Sequence, residues 1–316
     1  METVDRHLEA LCSVAPDRRP GSRGNHDATS YTATALEHVG WNVSFQDFEC
    51  IDWETTGATL TVGARSIPVV PAPYGAGVHA DGPLRIVSEL EDLAEGGVGD
   101  QNVADPILVV MGALAADPLT PRGYPFYAND DHIQILDAFE AAHPCAVLGV
   151  TGLHHSMCGA VDPFPLIEDG SFPVATANIR QRDAGPLLGC DGQTAHIEIH
   201  STRRAAHSQN VVATSGHRDG RVLVVAHLDS KPGTPGAVDN ASGVAVLLLL
   251  AELLTADDRQ PPVGVELLAV NGEDHDAAPG ELAWLAHHGD ALDEIATTLP
   301  DVIMTWPSHD RSWRFR

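Results

Sequence analysis

His227-Leu228-Asp229 closes a run of apolar and β-branched residues that begins at Arg221. A histidine at the end of a buried strand presents its imidazole over the sheet edge. An aspartate two residues on lies on the same side of the chain and can accept the second ring N–H, fixing the tautomer. Metal-binding histidines usually have such a partner, although a lone His-x-Asp serves equally well as a structural pair. Downstream, Gly236-Ala237-Val238-Asp239-Asn240-Ala241-Ser242-Gly243 leads into an apolar helical stretch. Asp239 or Asn240 suits a helix N-cap. A carboxylate there would also lie beside His227, with small neighbours leaving space for an ion. A third segment, Asn271-Gly272-Glu273-Asp274, follows the run Val263–Val270. Two adjacent carboxylates at a strand end are costly to place together unless a cation compensates them. One can act as general base while the other holds metal. Each segment alone reads as a cap or a solvated acidic loop; the specific signal is their order along one stretch of chain.

The elements that must position these residues form an α/β unit. Val211–Ala213, Arg221–Ala226 and Val263–Val270 are runs of the kind buried on both faces of a sheet. Between the last two, Asn240–Leu254 is an uninterrupted helix candidate, so strand, helix and strand make a parallel crossover. Ligand sites in such sheets gather at the carboxyl ends of strands, where these polar residues fall. The first 50 residues read as two helices and a strand. Asn25–Val39 has helical spacing with Gly40 placed to end it, and Asn42–Phe48 alternates as an edge strand. From Ile51 to His200 the runs Ala58–Val62, Ile67–Val70, Leu84–Val87, Ile107–Met111, Ala146–Val150 and His196–Ile199 alternate with Gly/Pro-rich turns around one helix, Asp131–Ala142. That pattern predicts a compact, mostly-β module over 51–200, set between chain segments 1–50 and 201–316. His154-His155 within it reads as a solvated loop pair, because adjacent strand residues face opposite sides.

Composition bounds the partners. Eighteen Lys+Arg against 44 Asp+Glu give a net charge of −26, and Lys231 is the sole lysine. A hydrated carboxylate surface with almost no lysine suits concentrated salt, which screens self-repulsion, so a halophilic protein is expected. A basic face for nucleic acid is lacking. No apolar run reaches the about 20 residues that span a bilayer, and the charged N-terminus lacks a signal-peptide core. A soluble, cytoplasmic protein without membrane or nucleic-acid partners is the expectation. Five scattered cysteines, with no C-x-x-C spacing, argue against a disulfide framework or zinc ribbon.

Together, His227-x-Asp229, Asp239–Gly243 and Glu273-Asp274 resemble the co-catalytic di-zinc aminopeptidases, family twenty-eight of the metallopeptidases. Ser208–Ala213 resembles the strand before the histidine there, Arg19-Pro20-Gly21-Ser22 the family's N-terminal segment, and the middle module the inserted protease-associated domain. The resemblance implies a zinc-exopeptidase-like α/β fold with a mixed, largely parallel sheet flanked by helices. It also implies two zinc ions: His227 on the first, Asp239 bridging, Asp274 on the second. Glu273 and Asp229 would be the catalytic residues, Glu273 as general base toward water and Asp229 orienting His227. The implied activity is exopeptidase hydrolysis of peptides, of aminopeptidase type. The alternatives are a non-catalytic binding protein with a vestigial metal site, or a single-zinc glutaminyl-cyclase-like acyltransferase. Many members carry glutamate at the position of Asp274. The family further implies an aspartate at the next strand end and a later histidine. The candidate strand Leu299–Thr305 instead runs into Trp306–Arg316, which holds three arginines, two tryptophans and one acid. A truncation near Met304–Trp306 is therefore expected, with impaired activity, and Asp301, His309 and Asp310 stand as substitute ligands.

Overall fold

The computed structural model describes residues 2–94, 104–116, 119–122, 124–125, 129–151, 170, 172–216, 221–256, 263–275, 277–289, 292 and 295–299. Helices α1 (Glu2–Cys12) and α2 (Arg23–His38) open the chain. The Ser22 side chain accepts the Asn25 amide at 3.1 Å, satisfying one orphan donor of the first turn of α2. Gly40, at φ 86°, follows the cap and turns the chain back as only a residue without Cβ does readily. Next comes β1 (Asn42–Val62), one strand of 21 residues where the sequence pattern predicts two. In the same way β7 (Thr194–Ser215), of 22 residues, joins His196–Ile199 to Val211–Ala213. Their polar, partly exposed middles stay extended, so lost alternation there marks surface rather than chain reversal.

The chain divides into two compact units. One comprises the described residues up to Phe48, Ser208–Asp274 and those from Pro279 on; the other comprises Glu49–His207 and His275–Ala278. The divisions expected at 50/51 and 200/201 thus lie at 48/49 and 207/208, inside β1 and β7.

In the first unit β8 (Arg221–His227) and β9 (Val265–Val270) run parallel, joined by the crossover helix α5 (Ser242–Thr255). The C-terminal part of β7 pairs antiparallel with the other edge of β9. After α6 (Pro279–His288), β10 (Ile295–Leu299) pairs parallel with β8. Its described part reaches Leu299, the first residue of the expected strand Leu299–Thr305; residues 300–316, with Asp301, His309 and Asp310, lie outside the described residues. Apolar residues cover both faces of the sheet. Val224, Ala226, Leu267 and Ala269 pack with Val244, Leu247, Leu248, Leu36 and Trp41, while Leu223 and Leu268 pack with Trp284. Each such buried leucine contributes about 1.5–3 kcal/mol. Ala237–Thr255 is apolar and long enough to cross a bilayer, yet Val244, Ala245, Leu247, Leu248 and Ala251 are buried in this core.

In the second unit, strands β2 (Arg65–Pro71), β3 (Val78–Val87), β4 (Ile107–Val110), β5 (Ala146–Thr151) and β6 (Ala175–Arg180) lie between parts of β1 and β7. The four strands β3, β4, β5 and β6 are parallel, and the outer pairings are antiparallel. Helices α3 (Leu90–Ala94) and α4 (Asp130–Ala141) fall between successive parallel strands, and Leu136 and Phe139 pack on Leu108 and Val147. The module is strand-rich among its described residues, with a parallel centre and antiparallel margins. His154-His155 lies outside the described residues.

Candidate metal centre

Parallel register places His227 opposite Val270, so β8 and β9 end together and their following loops meet. Leu228 N donates to Val270 O at 2.7 Å, holding the two ends in step. His227 is buried, 4 % exposed, and its Nε2 lies 2.9 Å from Asp239 Oδ1 and 3.6 Å from Glu273 Oε2. Asp239 belongs to the turn Ala237–Ala241 that enters α5, and its peptide bond to Asn240 is cis. Asn240 supplies the cap: its Oδ1 accepts the Gly243 amide at 2.9 Å. Asp239 is thereby left to face the histidine.

Asp229, fully buried, stands 3.5 Å from His227 Nδ1, at the limit of hydrogen bonding. Its oxygens accept the amides of Glu273 at 3.3 Å and Asp274 at 3.0 Å. One carboxylate thus backs the imidazole and ties the loop after β9 to the loop after β8. Asp274 is brought in by this clamp. Lys231 Nζ donates to its backbone oxygen at 3.1 Å and lies 4.0 Å from Oδ1, while the buried Oδ2 has no hydrogen-bond partner.

Electrostatics follow from this packing. Burial works against a charged His227, but Asp229 and Asp239 outweigh it and hold its pKa well above the ordinary value. Asp239 is held low, chiefly by its bond to His227. Burial pushes Asp274 up to about 8, against the pull of Lys231 and His227. One ligand atom each from His227, Asp239 and Asp274 lies within 4.8 Å of the others. A borderline nitrogen donor, two carboxylate oxygens and a buried oxygen without a donor suit a divalent cation such as zinc. Four of the sequence-predicted residues (His227, Asp229, Asp239 and Glu273) are linked by direct contacts, and Asp274 is hydrogen-bonded to Asp229.

Several positioning residues have no motif to betray them. Arg18, fully buried, donates to Leu228 O at 2.7 Å, Leu11 O at 3.1 Å, Gly236 O at 2.9 Å and Pro235 O. It fastens the N-terminal segment to the loop between His227 and Asp239. Asn271, which begins the loop carrying Glu273, is held by Asn25 at 2.6 Å, Gln209 O at 2.6 Å, and Asn210 at 3.0 Å. Ser208 donates to Asn25 at 2.6 Å, so the Ser208-Gln209-Asn210 stretch acts through hydrogen bonds as well as packing. At the start of α6, a Cβ on Gly280 would sit 1.8 Å from Asn271 O, so only glycine allows this approach. The next residue, Glu281, has a buried Oε2 without a hydrogen-bond partner, and burial first, then the Asp229 charge, push it up to about 8.

Residues 210–291, which contain His227, Asp229, Asp239, Glu273 and Asp274, match the model of Peptidase family M28. The chain is similar to the probable leucine aminopeptidase 2 of Aspergillus fumigatus, 25 % identical over 255 residues, covering 79 % of this chain and 48 % of the relative. The chain spans about half the length of the curated relatives it matches. Its fold is shared with the aminopeptidase from Aneurinibacillus sp. strain AM-1, with a TM-score of 0.70 at 19 % identity, covering 95 % of this chain and 69 % of that one. A zinc aminopeptidase from Bacillus subtilis superposes with a TM-score of 0.66 at 19 % identity, covering 94 % and 68 %. The expected mixed sheet flanked by helices is the architecture found.

Proposed function

We propose that this chain is a metal-dependent exopeptidase that releases residues from the N-terminus of peptides. One observation carries the reading: a buried imidazole, an exposed carboxylate and a buried, unpartnered carboxylate oxygen converge where β8 and β9 end. The named aminopeptidase relatives support the substrate class, and the zinc aminopeptidase among the shared folds supports zinc.

In this reading His227 and Asp274 each hold an ion and Asp239 serves both, so two zinc ions are proposed. Bound zinc supplies the Lewis acidity that acidifies water and polarises the scissile carbonyl. Asp229 holds the His227 ring in place and, through two amides, sets the reach of Asp274. Glu273, 46 % exposed and near the imidazole, takes the proton from the attacking water and hands it to the departing amine. Arg18 and Asn271 keep the two loops from parting, which matters because small displacements of catalytic groups are expensive. Adaptation to concentrated salt is proposed on the acidic, lysine-poor composition, and cytoplasmic residence on five scattered cysteines that suit a reducing compartment.

The test is release of amino acids from peptide anilides, assayed with metal analysis on one preparation. The reading predicts bound zinc and turnover that chelation removes and added zinc restores. No metal and no turnover would instead favour a binding protein, and one metal with pyroglutamate formation a cyclising acyltransferase.

A further inference from the structure

The second unit carries another histidine–carboxylate cluster, which the peptidase centre does not use. Antiparallel pairing of β3 with β7 sets His79 opposite Glu198 and Asp81 opposite His196. Because strand side chains alternate, His79 and Asp81 share a face with His196, Glu198 and His200. His79 Nδ1 and His196 Nε2 each lie 3.2 Å from Glu198 Oε1, and the two rings meet edge to face at 4.9 Å between centroids. His200 Nε2 lies 3.5 Å from Glu198 Oε2.

Tetrahedral zinc, with ligand atoms at about 2.0–2.2 Å, spaces those atoms about 3.3–3.6 Å apart. Two edges of the cluster already stand near that spacing, and all three ligand atoms lie within 4.8 Å of one another. The second nitrogen of His196 is taken: Nδ1 lies 2.9 Å from Asp81 Oδ1. Such a carboxylate fixes the tautomer that turns Nε2 toward a metal, the partner that ligating histidines generally have. Paired strands hold the ligands more firmly than a loop would. A chain of net charge −26 also draws cations to its surface. Exposed ion pairs add little to stability, so the fold alone gives three imidazoles gathered round one carboxylate little structural work.

We propose that His79, His196 and Glu198 form a zinc-class cation site on the second unit, with Asp81 orienting His196 and His200 within reach of an open position. The site is separate from the peptidase centre in residues and in strands.

Titrating zinc chloride into the chelator-treated full chain, followed by calorimetry, tests this. A chain carrying His227→Ala and Asp239→Ala should still bind one zinc, and adding His79→Ala or His196→Ala should abolish that binding. Asp81→Asn should weaken it by about 10–100-fold. In the otherwise unaltered chain, His196→Ala should remove one class of zinc sites and leave peptide-anilide hydrolysis unchanged. That arm also stands if the peptidase-centre variant does not fold. Zinc binding that is indifferent to both His79→Ala and His196→Ala would overturn the proposal and leave an exposed ion-pair cluster.

Discussion

Strand β9 and the loop that follows it bury two carboxylates, and their surroundings are opposite. Glu266, 1 % exposed, has Arg221 Nε at 3.1 Å, the Trp284 indole N–H at 3.0 Å and His288 Nε2 at 3.3 Å. Asp274, 9 % exposed, has a lysine at 4.0 Å on one oxygen and no hydrogen-bond donor on the other. A buried carboxylate must be paired, protonated or bound to a cation. The first is paired within the protein and locks α6 onto the sheet. The second is left short of donors beside His227 and Asp239, where a cation would complete it. Both carboxylates are buried; what the neighbours withhold separates structure from chemistry.

The largest effect expected falls on turnover. Glu273→Gln should lower kcat by about 10²–10⁴-fold while zinc content stays at the level of the unaltered chain. Activity within tenfold of the original would remove Glu273 from the role of base.

Next in size is a contrast in stability between the two carboxylates. Glu266→Ala strands a buried guanidinium and should cost about 3–5 kcal/mol in denaturant unfolding, with zinc affinity untouched. Asp274→Asn should cost the metal-free chain little, because burial already disfavours the charged carboxylate there, but should cost it zinc. Equal destabilisation by both substitutions would erase the distinction.

A smaller change is expected at the back of the imidazole. Asp229→Asn should weaken zinc binding by about 10–100-fold, read by competition with a chelating dye. An unchanged affinity would mean that Asp229 serves the loop amides alone.

The mildest effect is a pH dependence of the metal-free chain. Asp274 and Glu281 are both pushed up to about 8, so the folded chain keeps protons that the unfolded chain releases from about pH 4 upward. Stability from these groups is present at low pH and lost as pH rises through about 8. The Tm of the chelated chain should be lower at pH 9 than at pH 6, and Glu281→Gln should shrink that drop. A Tm that rises with pH, or a drop that Glu281→Gln leaves intact, would contradict the assignment.

The crossover unit was legible because its signals are local: unbroken apolar runs for β8 and β9, a helical stretch between them, and polar residues crowded at the ends. His227, Asp229, Asp239, Glu273 and Asp274 stand out in sequence for the same reason. Arg18 does not, since its acceptors are backbone carbonyls, three of them 210–218 residues away and set by the fold. Glu281 reads as an ordinary first-turn glutamate until α6 docks on Asn271 and its Oε2 is buried. The compact units divide within continuous strands, where no glycine or proline punctuates the change, so their edges leave no mark in the sequence. In the second unit, β6 (Ala175–Arg180) is built largely of alanine, threonine and asparagine, too weak a β pattern to be seen alone.

The central claim is that His227, Asp239 and Asp274 hold a metal that Glu273 works beside. Crystals of the full chain grown with zinc, with an anomalous difference map measured at the zinc edge, address it most directly. The account predicts two peaks, one at about 2.0–2.2 Å from His227 Nε2 and one at that distance from an Asp274 oxygen, each also within reach of Asp239. Zinc elsewhere in the chain with none at these three side chains would contradict it.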